Sequence, residues 1–341
     1  MASKWIYWFE ELGSAHNDLV GKKCANLGEM TRLGMRVPPG FAISVDGYER
    51  FMELSGAGEE VRRFVKGSVR GFNDVEKQID ASRTIRKIIE SKAMPYEMKT
   101  ELDGFYDELC SRLDMDRVRV AVRSSGAVSM PGQMETFLNV LGKEALSTHV
   151  IRVWGSAFTA RAIAFRLEKG MEMEKAPIGV AVLKMVNAKS AGVVLTVLPT
   201  TGDMSKVVVE GNWGLGESVV SGEVNPDHFL VDKETLEFER TINRKTRMVV
   251  YRSTGTVMSD VPEELQDQPC ICKEELLEIV RISLDVERHF NTPQDMEWVV
   301  DHDLPLPQNL YWVQARPAKF TRKKEDDAEY IAELMTRVFK F

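Results

Sequence analysis

Four polar side chains near the end of the chain have the types and spacing needed to handle a metal ion and a phosphate. Asp295 and Glu297 alternate along one strand-like segment, and Gln314 and Arg316 alternate along the next, after a Pro-containing polar loop. Strand side chains point to opposite faces in turn, so each pair shares a face. If the segments pair as a hairpin in matching register, two carboxylates, an amide and a guanidinium converge on one patch.

Such a patch predicts a divalent cation site. Neighbouring carboxylates supply oxygen ligands to Mg²⁺ while a phosphate chain completes its coordination, and Arg316 would neutralise a phosphate with two parallel hydrogen bonds. The alternative is an ordinary salt bridge on a solvated edge strand, which is the commoner fate of such acids.

A second pattern resembles a phosphate cradle. A strand ends at Arg123 and opens through a Pro-Gly loop containing Gly132 towards Thr136. Backbone N–H groups can approach a phosphate there because glycine has no side chain. Lys23, just after Gly21 at the start of a helical run, could meet an anion in the same way. An ordinary loop and a solvated lysine are the alternatives.

The surrounding elements predict an α/β part followed by a mostly antiparallel α+β part. Residues 144–168 show the spacing of a single helix, and residues 273–290 that of a long amphipathic helix. Residues 178–186 and 192–197 are rich in β-branched side chains and predict two strands joined by a polar turn.

Composition excludes several classes of protein. The chain has 341 residues and a net charge of −7, which disfavours binding to nucleic acid or to an anionic membrane. It contains no apolar run near 18 residues, and its four cysteines do not form a disulfide framework. We therefore expect a reduced, soluble, cytoplasmic protein whose length favours two lobes.

The order of its motifs closely resembles the nucleotide-binding part of the phosphoenolpyruvate synthase and pyruvate phosphate dikinase family. The resemblance covers roughly residues 12–320 and rests on these segments: 21–30 (GKKCANLGEM), 37–41 (VPPGF), 122–125 (VRSS) with 135–139 (ETFLN), 158–163 (FTARAI), 213–217 (WGLGE), and 294–298 (QDMEW) with 314–317 (QARP). It implies an α+β, two-lobed ATP-grasp fold with the ATP cleft between the lobes. The expected parts are an N-terminal lobe at 1–180, a C-terminal lobe at 181–320 and an amphipathic helix at 321–341.

The resemblance also implies roles for individual residues of the N-terminal part. Lys23 and Arg123 would hold the phosphates of ATP, and Gly132 and Thr136 would belong to a glycine-rich loop that covers them, with Thr136 among the catalytic residues. The nucleotide would also contact Lys184 and Met185. Synthases of the family commonly carry a glutamine where this chain has Leu183, so contacts to the adenine edge would come from backbone groups.

In the C-terminal part the resemblance implies the patch already found from spacing alone. Glu297 and Gln314 would bind Mg²⁺, or Mn²⁺ in its place, with Asp295 beside them contacting ATP. Arg316 and Gln314 would be catalytic, because Arg316 would stabilise the charge that develops during phosphoryl transfer.

Full-length members of the family continue into a domain with a phosphorylated histidine and a pyruvate-binding barrel, and these 341 residues show neither. His149 lies in a helical run and is interpreted as structural. We expect a phosphotransferase subunit that passes the βγ-phosphates of ATP to a histidine on a partner subunit, giving AMP and phosphate. Phenol phosphorylation, as in phenylphosphate synthase, is the leading hypothesis for the final reaction.

The alternatives are the ATP-binding domain of a phosphoenolpyruvate synthase, a pyruvate phosphate dikinase or a rifamycin-type phosphotransferase. A non-catalytic nucleotide-binding regulator is the alternative from another class.

Overall fold

A computed structural model describes residues 4–67, 74–126 and 134–320. They combine helices and sheets in two compact units, which confirms the α+β class. Unit 1 comprises residues up to Met185 together with Tyr251–Val257, and unit 2 comprises Val186–Val250 and the residues from Met258 onward. Gly132 and the expected helix at 321–341 lie outside the described residues.

Unit 1 is built on a five-stranded antiparallel sheet in the order β1-β2-β5-β3-β4. Its strands are β1 (Ile6–Trp8), β2 (Gly40–Ile43), β3 (Arg119–Gly126), β4 (Thr136–Leu141) and β5 (Ile178–Lys184). Its helices are α1 (Asn17–Arg32), α2 (Val45–Leu54), α3 (Ala57–Gly67), α4 (Val75–Glu90), α5 (Tyr96–Arg112), α6 (Lys143–Ser156) and α7 (Ala160–Glu168).

The single helix expected over 144–168 is instead two helices, α6 and α7. Thr159 has extended backbone angles and its side chain accepts a hydrogen bond from the Ala162 N–H at 3.2 Å. A threonine in this position caps the start of a new helix. The prediction was wrong because the apolar spacing continues across the cap, so it does not reveal the break.

Unit 2 contains a six-stranded antiparallel sheet in the order β13-β12-β6-β7-β8-β9 and a two-stranded hairpin, β10-β11. The strands are β6 (Ala188–Leu195), β7 (Lys206–Trp213), β8 (Asp227–Asp232), β9 (Phe238–Thr241), β10 (Arg247–Tyr251), β11 (Thr256–Asp260), β12 (Gln294–Asp301) and β13 (Leu310–Pro317). The helices are α8 (Glu217–Ser221) and α9 (Lys273–Phe290), and α9 has the bounds expected from the sequence.

The indole of Trp298 is fully buried on one face of the six-stranded sheet. A Cβ added at Gly211 would lie 2.7 Å from this ring, and one added at Gly192 would lie 2.6 Å from it. These two glycines therefore make room for the indole, whose N–H donates to the Val193 carbonyl at 3.1 Å. The residues on either side of Trp298 in β12 consequently point to the other face.

The expected turn between residues 178–186 and 192–197 does not join paired strands. β5 lies in the sheet of unit 1 and β6 in the sheet of unit 2. Both segments are strands, but β-branched composition shows only that a segment is extended and buried, not which strand it pairs with. The chain thus passes from one unit to the other at Met185 and Val186.

Unit 2 also contains an ion pair that is shielded from water. Lys245 Nζ lies 2.7 Å from Asp227 Oδ1, and both side chains are fully buried. Asp227 Oδ2 accepts from the Cys270 N–H at 2.8 Å, and Lys245 also donates to the Asn243 carbonyl at 2.8 Å. Each charge thus has a partner and additional hydrogen bonds, as a buried pair requires.

Within the described ranges, no helix has both the length and the apolar character needed to span a bilayer.

Candidate functional site

The residues predicted from the sequence to act on ATP fall into two groups. Lys23, Arg123, Thr136, Lys184 and Met185 belong to unit 1. The four residues 295, 297, 314 and 316 belong to unit 2, in the hairpin of β12 and β13 near the end of the chain, called here the closing hairpin. Each group has its own geometry within its own unit.

In unit 1 the start of the lysine-bearing helix is fixed by a glycine. Gly21 interrupts α1 with φ 77° and ψ 162°, a backbone conformation that essentially only glycine adopts. A Cβ at this position would lie 2.0 Å from the Ser125 carbonyl oxygen in β3. Gly21 therefore serves two needs at once, the sharp turn in the chain and the close approach of two backbones.

The chain around Gly21 also lies close to β5, the strand next to β3. Ser125 pairs directly with Gly179 of β5, and a Cβ at Gly179 would lie 2.3 Å from the Val20 carbonyl oxygen. The Val20–Gly21 peptide thus rests on the Ser125–Gly179 pair. In addition, the Cys24 N–H donates to Ser125 Oγ at 3.0 Å, so a strand hydroxyl satisfies one of the N–H groups at the restarted helix.

This arrangement brings the predicted phosphate-binding residues together. Arg123 precedes Ser125 by two residues and so shares its face of β3, and Arg123 pairs directly with Thr136 of β4. Lys22 is exposed, whereas Lys23 is half-buried. Burial raises the pKa of the Cys24 thiol to about 12, against the opposing effect of the positive charges of Lys23 and Arg123. Lys23 thus lies on the helix that starts after Gly21 and Arg123 on the strand that contacts it, and both charges act on the Cys24 thiol.

Lys184 and Met185 lie at the end of β5 with their backbone N–H groups already in use. The Lys184 N–H donates to the Pro39 carbonyl and the Met185 N–H to the Arg119 carbonyl, each at 2.8 Å. Leu183 is buried, with 2% exposure. A nucleotide base contacting this segment through those N–H groups would have to displace internal hydrogen bonds.

In unit 2 the hairpin expected from the sequence has the register that the chemistry needs. β12 and β13 are antiparallel, with Asp295 opposite Arg316 and Glu297 opposite Gln314. The ladder shifts register only after Glu297, beyond both pairs. The four polar side chains therefore lie on one face of the sheet, the face opposite that of Trp298.

The two cross-strand pairs differ in character. Arg316 donates to Asp295 Oδ2 from both Nε and Nη2, each at 2.8 Å. Both contacts go to one carboxylate oxygen, so they orient the guanidinium and occupy Oδ2 of Asp295. Glu297 is half-buried, and Gln314 is buried with 7% exposure. The Glu297–Gln314 pair thus offers carboxylate and amide oxygens beside a fixed cation.

The donor set fits Mg²⁺ bound together with a phosphate ligand. The parts of the chain that the structure describes contain no cluster of three or more His, Cys, Asp and Glu residues able to hold a metal. Mg²⁺ commonly takes only one or two protein oxygens and completes its octahedron with phosphate oxygens and water. Glu297 and Gln314 match that kind of site better than a site closed entirely by protein ligands.

Sequence reasoning missed further polar residues on this sheet face. The register places Glu297 in line with Val193, then Glu210 and then His228 across neighbouring strands. His228 Nδ1 lies 3.2 Å from Glu210 Oε1. Strand alternation would have indicated that each residue points away from its neighbours, but the order of the strands was needed to place them in one row.

Comparison with known proteins assigns the family. Residues 17–336 match the family model described as pyruvate phosphate dikinase, AMP/ATP-binding domain. The match covers most of the chain, including both groups of residues described above. The chain belongs to this nucleotide-binding domain family, and the resemblance drawn from its motifs is confirmed at that level.

The individual relatives most similar in sequence include several named phosphoenolpyruvate synthase. The chain is 37% identical over 97% of its length to a probable phosphoenolpyruvate synthase of Staphylothermus marinus, covering 43% of that protein. It is 35% identical over 98% of its length to phosphoenolpyruvate synthase of Pyrococcus furiosus, covering 46% of it. It is 36% identical to a probable phosphoenolpyruvate synthase of Methanocaldococcus jannaschii, covering 28% of it. The chain spans less than half the length of these relatives.

Proposed function

We propose that the chain binds Mg-ATP and positions it as the phosphoryl donor in a phosphoenolpyruvate synthase-type reaction. One observation carries the proposal: in an AMP/ATP-binding domain, the hairpin register places Glu297 and Gln314 beside the fixed guanidinium of Arg316. The relatives named phosphoenolpyruvate synthase support this reading over phenol phosphorylation.

The residues have distinct tasks in this proposal. Lys23, Arg123 and Thr136 of unit 1 would bind and orient the phosphates, while Glu297 and Gln314 of unit 2 would hold Mg²⁺. The ion supplies positive charge that screens the phosphate oxygens. Arg316, held in position by Asp295, would stabilise charge on the phosphate undergoing transfer. Such chemistry depends on positioning and charge neutralisation more than on covalent participation of the protein.

The acceptor would be a histidine imidazole on another domain or subunit. Its nitrogen would attack the β-phosphorus of ATP, forming an N–P bond as the bond to the α-phosphate oxygen breaks, with AMP as the leaving group. Water would then release the γ-phosphate as inorganic phosphate. Pyruvate would lose a methyl proton to a base, and its enolate oxygen would take the remaining phosphoryl group as the N–P bond breaks, giving phosphoenolpyruvate and the free histidine.

The test uses ATP labelled at the β-phosphate. The purified chain is incubated with Mg-ATP, alone and with an extract of its own cells, in the presence of pyruvate or phenol. We expect AMP, an acid-labile label on a protein, and labelled phosphoenolpyruvate when pyruvate is present. Labelled phenylphosphate instead would replace pyruvate by phenol as the acceptor. ATP binding with no AMP and no label under any condition would favour a nucleotide-binding regulator.

Two substitutions link this reaction to the hairpin. Glu297→Gln and Arg316→Ala should each lower the rate of AMP formation by about 100-fold, the size typical of removing one group that stabilises transition-state charge. Glu239→Gln is the matched control, because Glu239 is an exposed carboxylate on the edge strand β9 of the same sheet. Normal AMP formation by both hairpin variants would overturn the assignment of this site.

A further inference from the structure

The start of β4, which carries Thr136, is held from outside the strand by two helices. The Glu135 N–H donates to Ser156 Oγ of α6 at 3.1 Å, and the Ser156 hydroxyl in turn donates to the Val153 carbonyl at 2.7 Å. Ser156 is fully buried. The backbone of Glu135 is therefore tied to the buried C-terminal residue of α6.

The side chain of Glu135 is fixed as well, by a residue of α4. Arg86 Nη1 lies 2.7 Å from Glu135 Oε1, and Arg86 Nε donates to Glu90 Oε1 at 2.9 Å. The three side chains have exposures of 25%, 32% and 29%, so water screens the pairs only in part. Burial alone would lower the pKa of Arg86, but the hydrogen bonds to Glu90 and Glu135 outweigh it and raise that pKa.

A glycine on α6, Gly155, leaves room for this contact among three side chains. A Cβ added at Gly155 would lie 2.8 Å from Glu90 Oε1. The absence of a side chain at Gly155 therefore leaves space for the Glu90 carboxylate that orients Arg86. Consecutive residues of α6, Gly155 and Ser156, thus support the side chain and the backbone of Glu135 respectively.

The contact matters because Glu135 immediately precedes a residue of the predicted phosphate site. Thr136 is the next residue, and it stands directly opposite Arg123 on the face of β3 that also carries Ser125. A shift at Glu135 would move Thr136 relative to Arg123 by a comparable distance, since a trans peptide leaves little slack between adjacent residues.

We propose that Arg86 is a positioning residue for phosphate binding: by joining Glu135 to Glu90 it fixes the start of β4, so that Thr136 faces Arg123. This inference rests on the proposed function, in which Thr136 and Arg123 contact the phosphates of ATP. Arg86 itself does not touch the nucleotide in this account.

The experiment compares the affinities of the full chain for Mg-ATP and for AMP, measured by titration calorimetry. Arg86→Ala should weaken Mg-ATP binding about 10-fold and leave AMP binding unchanged, because AMP lacks the β- and γ-phosphates. Arg86→Lys retains one positive charge and one contact, so it should restore part of the loss. Glu135→Gln keeps the side-chain shape and should produce the same selective loss, which provides a second variant should Arg86→Ala fail to fold.

Arg83→Ala is the control, because Arg83 lies one turn earlier on α4 and pairs with Asp80 on the same exposed surface. It should bind both nucleotides as the wild type does. Unchanged Mg-ATP affinity in Arg86→Ala, or an equal loss for ATP and AMP, overturns the inference while leaving the proposed function intact. A wild-type chain that binds no Mg-ATP overturns the proposed function and the inference with it.

Discussion

Replacing Gly21 by alanine is the most direct perturbation of the unit 1 site. The substitution adds one methyl group at the point where α1 is pressed against β3. The new Cβ would lie 2.0 Å from the Ser125 carbonyl oxygen and 2.4 Å from its carbonyl carbon. Both are backbone atoms of β3, where Ser125 is paired with Gly179 of β5, so they cannot move aside as the end of a flexible side chain would.

Three effects set the size of the expected change. A non-glycine residue in this backbone conformation costs about 1–3 kcal/mol. Displacing Ser125 also weakens its hydrogen bond with the Cys24 N–H, which contributes about 1 kcal/mol. Moving β3 away to relieve the clash costs further free energy, which adds to both of these costs. We expect Gly21→Ala to lower the free energy of unfolding of unit 1 by about 3 kcal/mol or more.

Gly34→Ala provides the matched comparison. Gly34 also has a positive φ, 76°, but a Cβ there would meet nothing within 4 Å. Its cost should be about 1–2 kcal/mol, from the left-handed backbone alone. Both substitutions reduce the entropy of the unfolded chain in the same way, so their difference reports the close approach to Ser125 together with the greater backbone strain at position 21.

The assay is urea unfolding combined with hydrogen–deuterium exchange of peptides covering α1 and β3, because a chain of two units need not unfold in one step. Calorimetry with Mg-ATP adds the functional reading. Gly21→Ala should weaken binding at least 10-fold, about 1.4 kcal/mol, whereas Gly34→Ala should not. If Gly21→Ala is no more destabilising than Gly34→Ala, the reasoning about the Ser125 contact is wrong.

Three further predictions concern stability and reactivity. Lys245→Met should lower the free energy of unfolding in urea by about 3–5 kcal/mol, because it leaves the carboxylate of Asp227 buried without its counter-charge. Hydrogen bonds from the Thr235 N–H and from Lys206 hold the pKa of Asp232 well below its usual range. The stability that Asp232 contributes should be complete above pH about 4 and lost as the pH falls further, so urea unfolding of Asp232→Asn should depend less on pH in that acidic range. Cys272 is the exposed member of the four cysteines, so maleimide at pH 8 should label the native chain once and the unfolded chain four times.

Each of these predictions has its own control. The double variant Asp227→Asn/Lys245→Met should regain part of the stability lost in Lys245→Met, since it removes the unpaired charge. Asp285→Asn, which alters a carboxylate on the exposed side of α9, should retain the acid sensitivity of the wild type. Labelling of Cys272→Ser at the rate of the wild type would show that a buried cysteine is reached in the native state.

The closing hairpin was predictable from the sequence because every required feature is local. Two segments close in the chain pair antiparallel, and a side-chain period of two then fixes which residues share a face. Asp295, Glu297, Gln314 and Arg316 could therefore be grouped from their spacing alone. The Asp295–Arg316 hydrogen bonds follow from the same register.

The contacts of Arg86 with Glu90 and Glu135, which fix the residue before Thr136, could not be predicted in this way. Arg86 and Glu90 are an ordinary pair of opposite charges four residues apart on a helix, a pattern common on solvated surfaces. Nothing in the sequence joins them to Glu135, which lies far along the chain. Their contact depends on how α4 and α6 pack, and that packing is decided by side chains distributed throughout the unit 1 core.

The hairpin tip 251–257 makes both units discontinuous in the gene. These residues belong to unit 1, where Asn139 Nδ2 donates to the carbonyls of Arg252 and Gly255, each at 2.7 Å, although the rest of β10 and β11 belongs to unit 2. A gene fragment ending at codon 185 would therefore encode unit 1 without one of its own segments. Neither unit is encoded by one continuous segment of the gene, so a single crossover after codon 185 between related genes would join Asn139 of one parent to residues 252 and 255 of the other.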